Sequence, residues 1–182
     1  MIYIPFIETS IFITVLWVIT RAFFWIKNRR IDWKREAKLL LVYVCIMVIA
    51  RITFFPLEKI DGEVQPLVFD IANAFSFRIN VLPFVNLFEY DEMRDAIINF
   101  IGNTAMFIPV GIVWPIVFRE LDSHWKIIFA GIGFPLLIEI LQLPFYDRVS
   151  DIDDLILNTV GYLMGYGIYL VIRKTKSKRA SE

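Results

Sequence analysis

The 182-residue sequence predicts an all-α integral membrane protein: a compact bundle of about five transmembrane helices with a long extracytoplasmic connector between spans two and three. Three observations lead there. Hydrophobic residues make up 58% of the chain and charged residues 21%, with mean hydropathy +0.62, more apolar than an ordinary soluble domain. The apolar residues come in blocks: Ala96 to Phe118 holds no charge and is long enough to cross a hydrocarbon core of about 30 Å. The basic residues crowd into the first connector and the C-terminal tail, as the positive-inside rule expects of a multi-pass chain.

The first span covers about residues 2–26, with Glu8 near its start and Arg21 near its end. Its positive charges follow the apolar run, so it reads as an uncleaved span and not a secretory leader. Span two, about 37–55, carries Arg51. Span three is about 96–118, and span four, about 125–143, carries Glu139. Span five is about 152–172. Together they form one membrane domain, residues 1–172, followed by a basic cytoplasmic tail, 173–182, that reads as flexible. Pro109, Pro115 and Pro135 lie inside spans three and four and predict kinks, which membrane helices tolerate when neighbours satisfy the freed backbone groups. Trp17, Trp25, Trp33, Trp114 and Trp125 fall near predicted interfaces and read as anchors. The single cysteine, Cys45, sits in an apolar run and reads as packing, and His124, the single histidine, reads as a solvated residue of the third connector.

Lys27, Arg29, Arg30, Lys34, Arg35 and Lys38 mark the first connector as cytoplasmic, and Arg173, Lys174, Lys176, Lys178 and Arg179 mark the tail likewise. Five spans then put the N-terminus outside and the C-terminus in the cytoplasm of a bacterial plasma-membrane protein. The second connector falls outside and is acidic: Glu58, Asp61, Glu63, Asp70, Glu89, Asp91, Glu92 and Asp95. Its Pro66–Phe69, Phe75, Phe77 and Val81–Val85 are too apolar for a solvated loop, so it is expected to lie in the interface or cap the bundle, with short helices. Zero net charge implies no general attraction to nucleic acid.

Depth now sorts the polar residues. A charge at a helix centre in the bilayer costs about 2.5–3.5 kcal/mol on insertion scales, so such residues pair, face a wet cavity or do chemistry. Arg51 ends span two, Asn99 and Asn103 share one face early in span three, and Glu139 and Gln142 share one face late in span four. Asp147 and Arg148 follow. Asp151, Asp154 and Asn158 form one stripe at the start of span five, with Asp153 beside it. All are expected in one outer layer. Glu139 lies where the helix dipole disfavours an anion, so it calls for a cation, Arg51 or Arg148, or a metal. Ser150 with Asp153 reads as a capping box. Gly161 and Gly165, continued by Gly167, read as a close-packing face.

At these residues the chain resembles the VanZ-like family of membrane proteins, named for a teicoplanin-resistance protein. The resemblance rests on Asn99-Phe100-Ile101-Gly102-Asn103 through Pro109-Val110-Gly111, on Glu139-Ile140-Leu141-Gln142, and on Arg148 through Asn158 with Gly161. Arg51 with Phe55-Pro56, and Asn80 through Phe84, fit as well. It covers about span two to the end. It implies an integral bacterial membrane protein and lowered susceptibility to teicoplanin-type glycopeptides and lipoglycopeptides, with no agreed reaction.

Two functions remain open. In one, the chain is a lipid-headgroup transferase or hydrolase: Glu139, Asp151 or Asp154 acts as general base, while Arg51, Asn103, Gln142, Arg148 and Asn158 bind a membrane lipid or a lipid-linked cell-wall precursor. Asp151, Asp153 and Asp154 are also candidate ligands for Mg²⁺ or Ca²⁺, which prefer oxygen donors. In the other, the chain is a non-catalytic binder of a lipid or partner protein, and its polar cluster is structural. A transporter is the weakest reading, because five spans show no repeat symmetry.

Overall fold

The computed structural model describes residues 1–55, 59–60, 62–75, 79–83 and 93–179. Pro56, Glu58, Asp61, Phe77, Phe84, Val85, Glu89, Asp91 and Glu92, all invoked above, lie outside the described residues, as does the Asp95 side chain. The chain is mostly helical, with five helices among the described residues long and apolar enough to cross a membrane. They are α1 (Phe6–Asn28), α2 (Trp33–Phe54), α3 (Met93–Val117), α4 (His124–Gln142) and α5 (Ile152–Arg179). Among the described residues there are also six short strands: β1 (Ile2–Ile4), β2 (Lys59–Ile60), β3 (Glu63–Val64), β4 (Leu67–Phe69), β5 (Ile79–Asn80) and β6 (Ser150–Asp151).

Two compact units divide the chain: Met1–Arg78 with Gln142–Val149, and Ile79–Leu141 with Ser150–Glu182. The first unit is built on an antiparallel pair, α1 and α2. Thr14 Oγ1 and Tyr43 Oη lie 2.7 Å apart, Trp17 and Tyr43 have ring centroids 5.5 Å apart, and Phe6 meets Phe55 edge-on at 5.2 Å. The first span was expected to be helical from residue 2. Instead Ile2–Ile4 pairs antiparallel with Leu67–Phe69, and α1 begins after Pro5, the N-cap residue. Proline biases Ile4 toward extended backbone, which suits the strand, and its own lack of an N–H ends the ladder there. α2 begins four residues earlier than expected because Asp32 Oδ1 accepts the Lys34 and Arg35 N–H groups at 3.1 and 3.2 Å.

Among the described residues the second connector supplies short strands and a 3₁₀ helix, Ile71–Phe75. β2 and β3 form a hairpin around Gly62, whose φ of 81° is the left-handed conformation glycine adopts freely. β4 is flanked by β1 and by an isolated bridge from Phe69 to Phe145.

The second unit packs α3 against α5 backbone to backbone. A Cβ on Gly161 would stand 2.0 Å from Thr104 O, one on Gly165 2.1 Å from Ile108 O, and one on Gly111 1.9 Å from Tyr162 O. Gly161 and Gly165 are the close-packing face read from the sequence; Gly167 is not part of it, with open space at its Cβ position. α4 joins through Phe134, which packs on Phe107 and Trp114 at 5.8 and 4.8 Å. Trp114 also meets Tyr162 at 5.9 Å, so it packs within the unit. Trp33 and Trp125 are exposed, as anchors are. The basic segment expected to be flexible continues α5 to Arg179; Lys and Arg are good helix formers and suit the negative end of the dipole.

Candidate functional site

In the second unit the site is assembled by the parallel pairing of β5 with β6, in register Ile79↔Ser150 and Asn80↔Asp151. That register brings the Asn80 side chain to Asp151, whose Oδ1 accepts Asn80 Nδ2 at 3.2 Å. The same Oδ1 accepts the Asp153 N–H at 2.9 Å, which makes Asp151 the cap of α5. The capping role assigned above to Ser150 is therefore corrected. The Ser150 hydroxyl donates instead to Glu139 Oε2 at 3.0 Å, and the Asp151 N–H donates to the same oxygen at 3.0 Å.

Glu139 lies one turn before the end of α4, where orphan carbonyls face it and the dipole is negative. Its side chain is buried, with 5% of the residue exposed. The strand segment answers this with two neutral donors. Both fall on Oε2; Oε1 receives none among the described residues. Farther along the same end, Asn103 Nδ2 donates to Asp154 Oδ1 at 2.6 Å and to Asn99 Oδ1 at 3.2 Å, tying α3 to α5. Asn158, one turn beyond Asp154, is 1% exposed, and its Oδ1 has no hydrogen-bond partner among the described residues. The Thr104 and Tyr162 hydroxyls are buried and unpartnered in the same way.

The other expected site residues belong to the first unit and share a different task. α2 ends with carbonyls that no later turn can satisfy. Arg51 Nη1 donates to Phe55 O at 3.1 Å, with its guanidinium 5.4 Å from the Phe6 ring. Gln142 Nε2 donates to Thr53 O at 2.8 Å, and Arg148 sets Nε and Nη2 on Phe54 O at 3.1 and 2.9 Å. Cations at a helix C-terminus also complement the dipole. Asp147 is exposed. The segment from Gln142 is held further by Asn73, whose Nδ2 donates to Leu143 O and Phe145 O at 3.3 and 2.9 Å. Sequence reading missed Asn73 and the role of Asn80; the available signal was an amide side chain inside an otherwise greasy connector. His124 is exposed as expected, and it also meets Tyr166 Oη at 2.6 Å through Nδ1.

The metal reading gains no ligand set. Among the described residues, no group of three His, Cys, Asp or Glu side chains is arranged to hold a metal ion. Asp151 caps α5 and holds Asn80, while Asp154 holds Asn103.

A family model described as VanZ/LLP1 matches residues 40–173. The chain belongs to the VanZ/LLP1 family. Protein VanZ of Enterococcus faecium is 29% identical to it over 116 residues, 62% of this chain and 67% of that protein. No solved structure matches. The family region takes in both the end of α2 with its caps and the Glu139 cluster, and it leaves α1 and the start of α2 outside. With its spanning helices, this VanZ-family chain is a multi-pass membrane protein.

Proposed function

We propose that this VanZ-family protein binds the polar headgroup of a membrane lipid or lipid-linked cell-wall precursor at the Glu139 end of its second unit, facing the outside of a bacterial plasma membrane, and thereby lowers susceptibility to teicoplanin-type lipoglycopeptides. The observation that carries this is a group of buried polar atoms beside Glu139 with no hydrogen-bond partner among the described residues: Asn158 Oδ1 and the Thr104 and Tyr162 hydroxyls. A buried polar group left unsatisfied costs about 1–3 kcal/mol. A headgroup carrying ammonium, hydroxyl or amide donors supplies what is missing. Binding without chemistry is favoured over a reaction because the aspartates are already engaged, as cap and as partners of Asn80 and Asn103.

The test is to purify the full chain with its lipids, identify them by mass spectrometry, and measure teicoplanin susceptibility of cells carrying Glu139→Gln, Glu139→Leu and Asn158→Leu at matched protein levels. Loss of retained lipid and of protection in Glu139→Leu and Asn158→Leu supports the reading. Undiminished lipid and protection in both overturns it. A retained lipid whose mass changes on incubation, and only when Glu139 is present, makes Glu139 a general base and the protein an enzyme.

A further inference from the structure

At the opposite end of the α1–α2 pair from the Phe6–Phe55 contact, the connector between the helices borders an open cavity of about 720 Å³. Its lining includes Arg21, Arg30, Lys34 and Arg35 against only two acids, Asp32 and Glu36. Both acids are already spent on protein donors. Glu36 takes Arg21 Nε at 2.8 Å, with Arg21 Nη2 on its second oxygen, and Asp32 caps α2. Arg30, Lys34 and Arg35 make no ion pair among the described residues, and all three are exposed. The cavity is therefore a cationic cup.

A second cavity, of about 330 Å³, adjoins it and shares Arg21, Trp25, Trp33 and Glu36 with it. From there it runs down the groove between the helices along Trp17, Val18, Ala37 and Leu40. The first of these adjoining cavities is cationic and the second is mostly apolar. The helices that frame it cross the membrane, so the cup lies at a membrane surface and the groove descends into the acyl region.

We propose that this end of the first unit is a binding site for an anionic glycerophospholipid. Arg30, Lys34 and Arg35 hold its phosphate, Trp33 lies against its glycerol region, and one acyl chain fills the groove between Trp17 and Leu40. The guanidinium groups match phosphate oxygens in bidentate geometry, and the ammonium adds a point charge. The Arg21–Glu36 pair forms the floor between cup and groove, where it keeps a carboxylate from facing the phosphate uncompensated. This site lies almost wholly outside the family-matched residues, so it stands apart from the headgroup site proposed around Glu139.

The experiment uses the full purified chain in lipid-free detergent micelles. The probes are dioleoylphosphatidylglycerol, dioleoylphosphatidylcholine and inorganic phosphate, followed by native mass spectrometry and thermal unfolding. Phosphatidylglycerol should bind in preference to phosphatidylcholine of the same chains. Binding should fall roughly fivefold for each cation removed, and on the order of a hundredfold in Arg30→Gln/Lys34→Gln/Arg35→Gln. Ala37→Trp fills the groove without changing any charge and should weaken phosphatidylglycerol binding too. An equal loss of charge from the tail, Lys174→Gln/Lys176→Gln/Arg179→Gln, should leave it within about twofold. Retained affinity in the connector triple variant, or equal loss in the tail variant, overturns the site. Undiminished binding in Ala37→Trp, or equal competition by inorganic phosphate, overturns the lipid as its ligand. If the triple variant fails to accumulate, Ala37→Trp and single Arg30→Gln decide the matter.

Discussion

The seam between α3 and α5 offers the sharpest test of how the second unit is held. Consider Gly161→Ala. The added Cβ would stand 2.0 Å from Thr104 O, 2.8 Å from Thr104 C and 3.1 Å from Thr104 Cα, all backbone atoms of the neighbouring helix. No rotamer change can move them. A real Cβ does not approach closer than 3.0 Å, so the helices must part by about 1 Å at this point. The same displacement loosens the approaches at Gly165 and Gly111, which lie on one seam. Overpacking costs about 1–3 kcal/mol, and a backbone obstacle puts this case at the top of that range. Alanine's better helix propensity returns about 1 kcal/mol. The net is destabilisation of about 2 kcal/mol, or roughly thirtyfold in the unfolding equilibrium. Gly167→Ala is the internal control: nothing lies within 4 Å of its Cβ position, so it should be neutral or stabilising by up to about 1 kcal/mol. Titration with dodecyl sulfate in mixed micelles, read by helical circular dichroism, measures both. If Gly161→Ala and Gly167→Ala agree within about 0.5 kcal/mol, the close packing argued here is wrong.

Three further outcomes follow from the geometry, each read by the same unfolding titration. Arg148→Ala should cost about 2 kcal/mol by stripping both donors from Phe54 O, and Arg148→Lys should recover only part of it, since one ammonium cannot reproduce the fork. Glu139→Gln should cost less than about 1 kcal/mol because its amide oxygen still accepts from Ser150 and Asp151, whereas Glu139→Leu orphans both donors and should cost about 2–3 kcal/mol; equal effects would show that those bonds are not made. Arg21→Met should cost about 1–2 kcal/mol by leaving Glu36 without its cation in a part-buried position, and Arg21→Met/Glu36→Met should restore most of it; a double variant worse than the single would refute the pairing.

Much of the candidate site was legible before any coordinates. The gathering of Asn99, Asn103, Glu139, Asp151, Asp154 and Asn158 at one end of three helices follows from helical spacing and the reversal of direction at each connector, since residues three or four apart share a face. What spacing cannot give is the partner of each group. Glu139 called for a cation on electrostatic grounds, and its donors proved to be a serine hydroxyl and a backbone N–H from a two-residue strand. Arg51, Gln142 and Arg148 were read as ligand-binding because they fall in the outer polar layer and a guanidinium matches phosphate oxygens. Their donors also complete the end of α2, an equally physical reason for polar groups to lie there.

The number of spans, their apolar length and the small-residue face of α5 were determined by the sequence itself, because the bilayer allows backbone polar groups few exits and the resulting patterns are local and periodic. Which strand segment meets which helix end was decided only by the folded chain. The pairings of Ile2–Ile4 with Leu67–Phe69 and of Ile79–Asn80 with Ser150–Asp151 join segments about 70 residues apart. Two or three residues carry too little periodicity to announce such a partnership. It forms because the helices on either side have already brought those backbones within hydrogen-bonding reach.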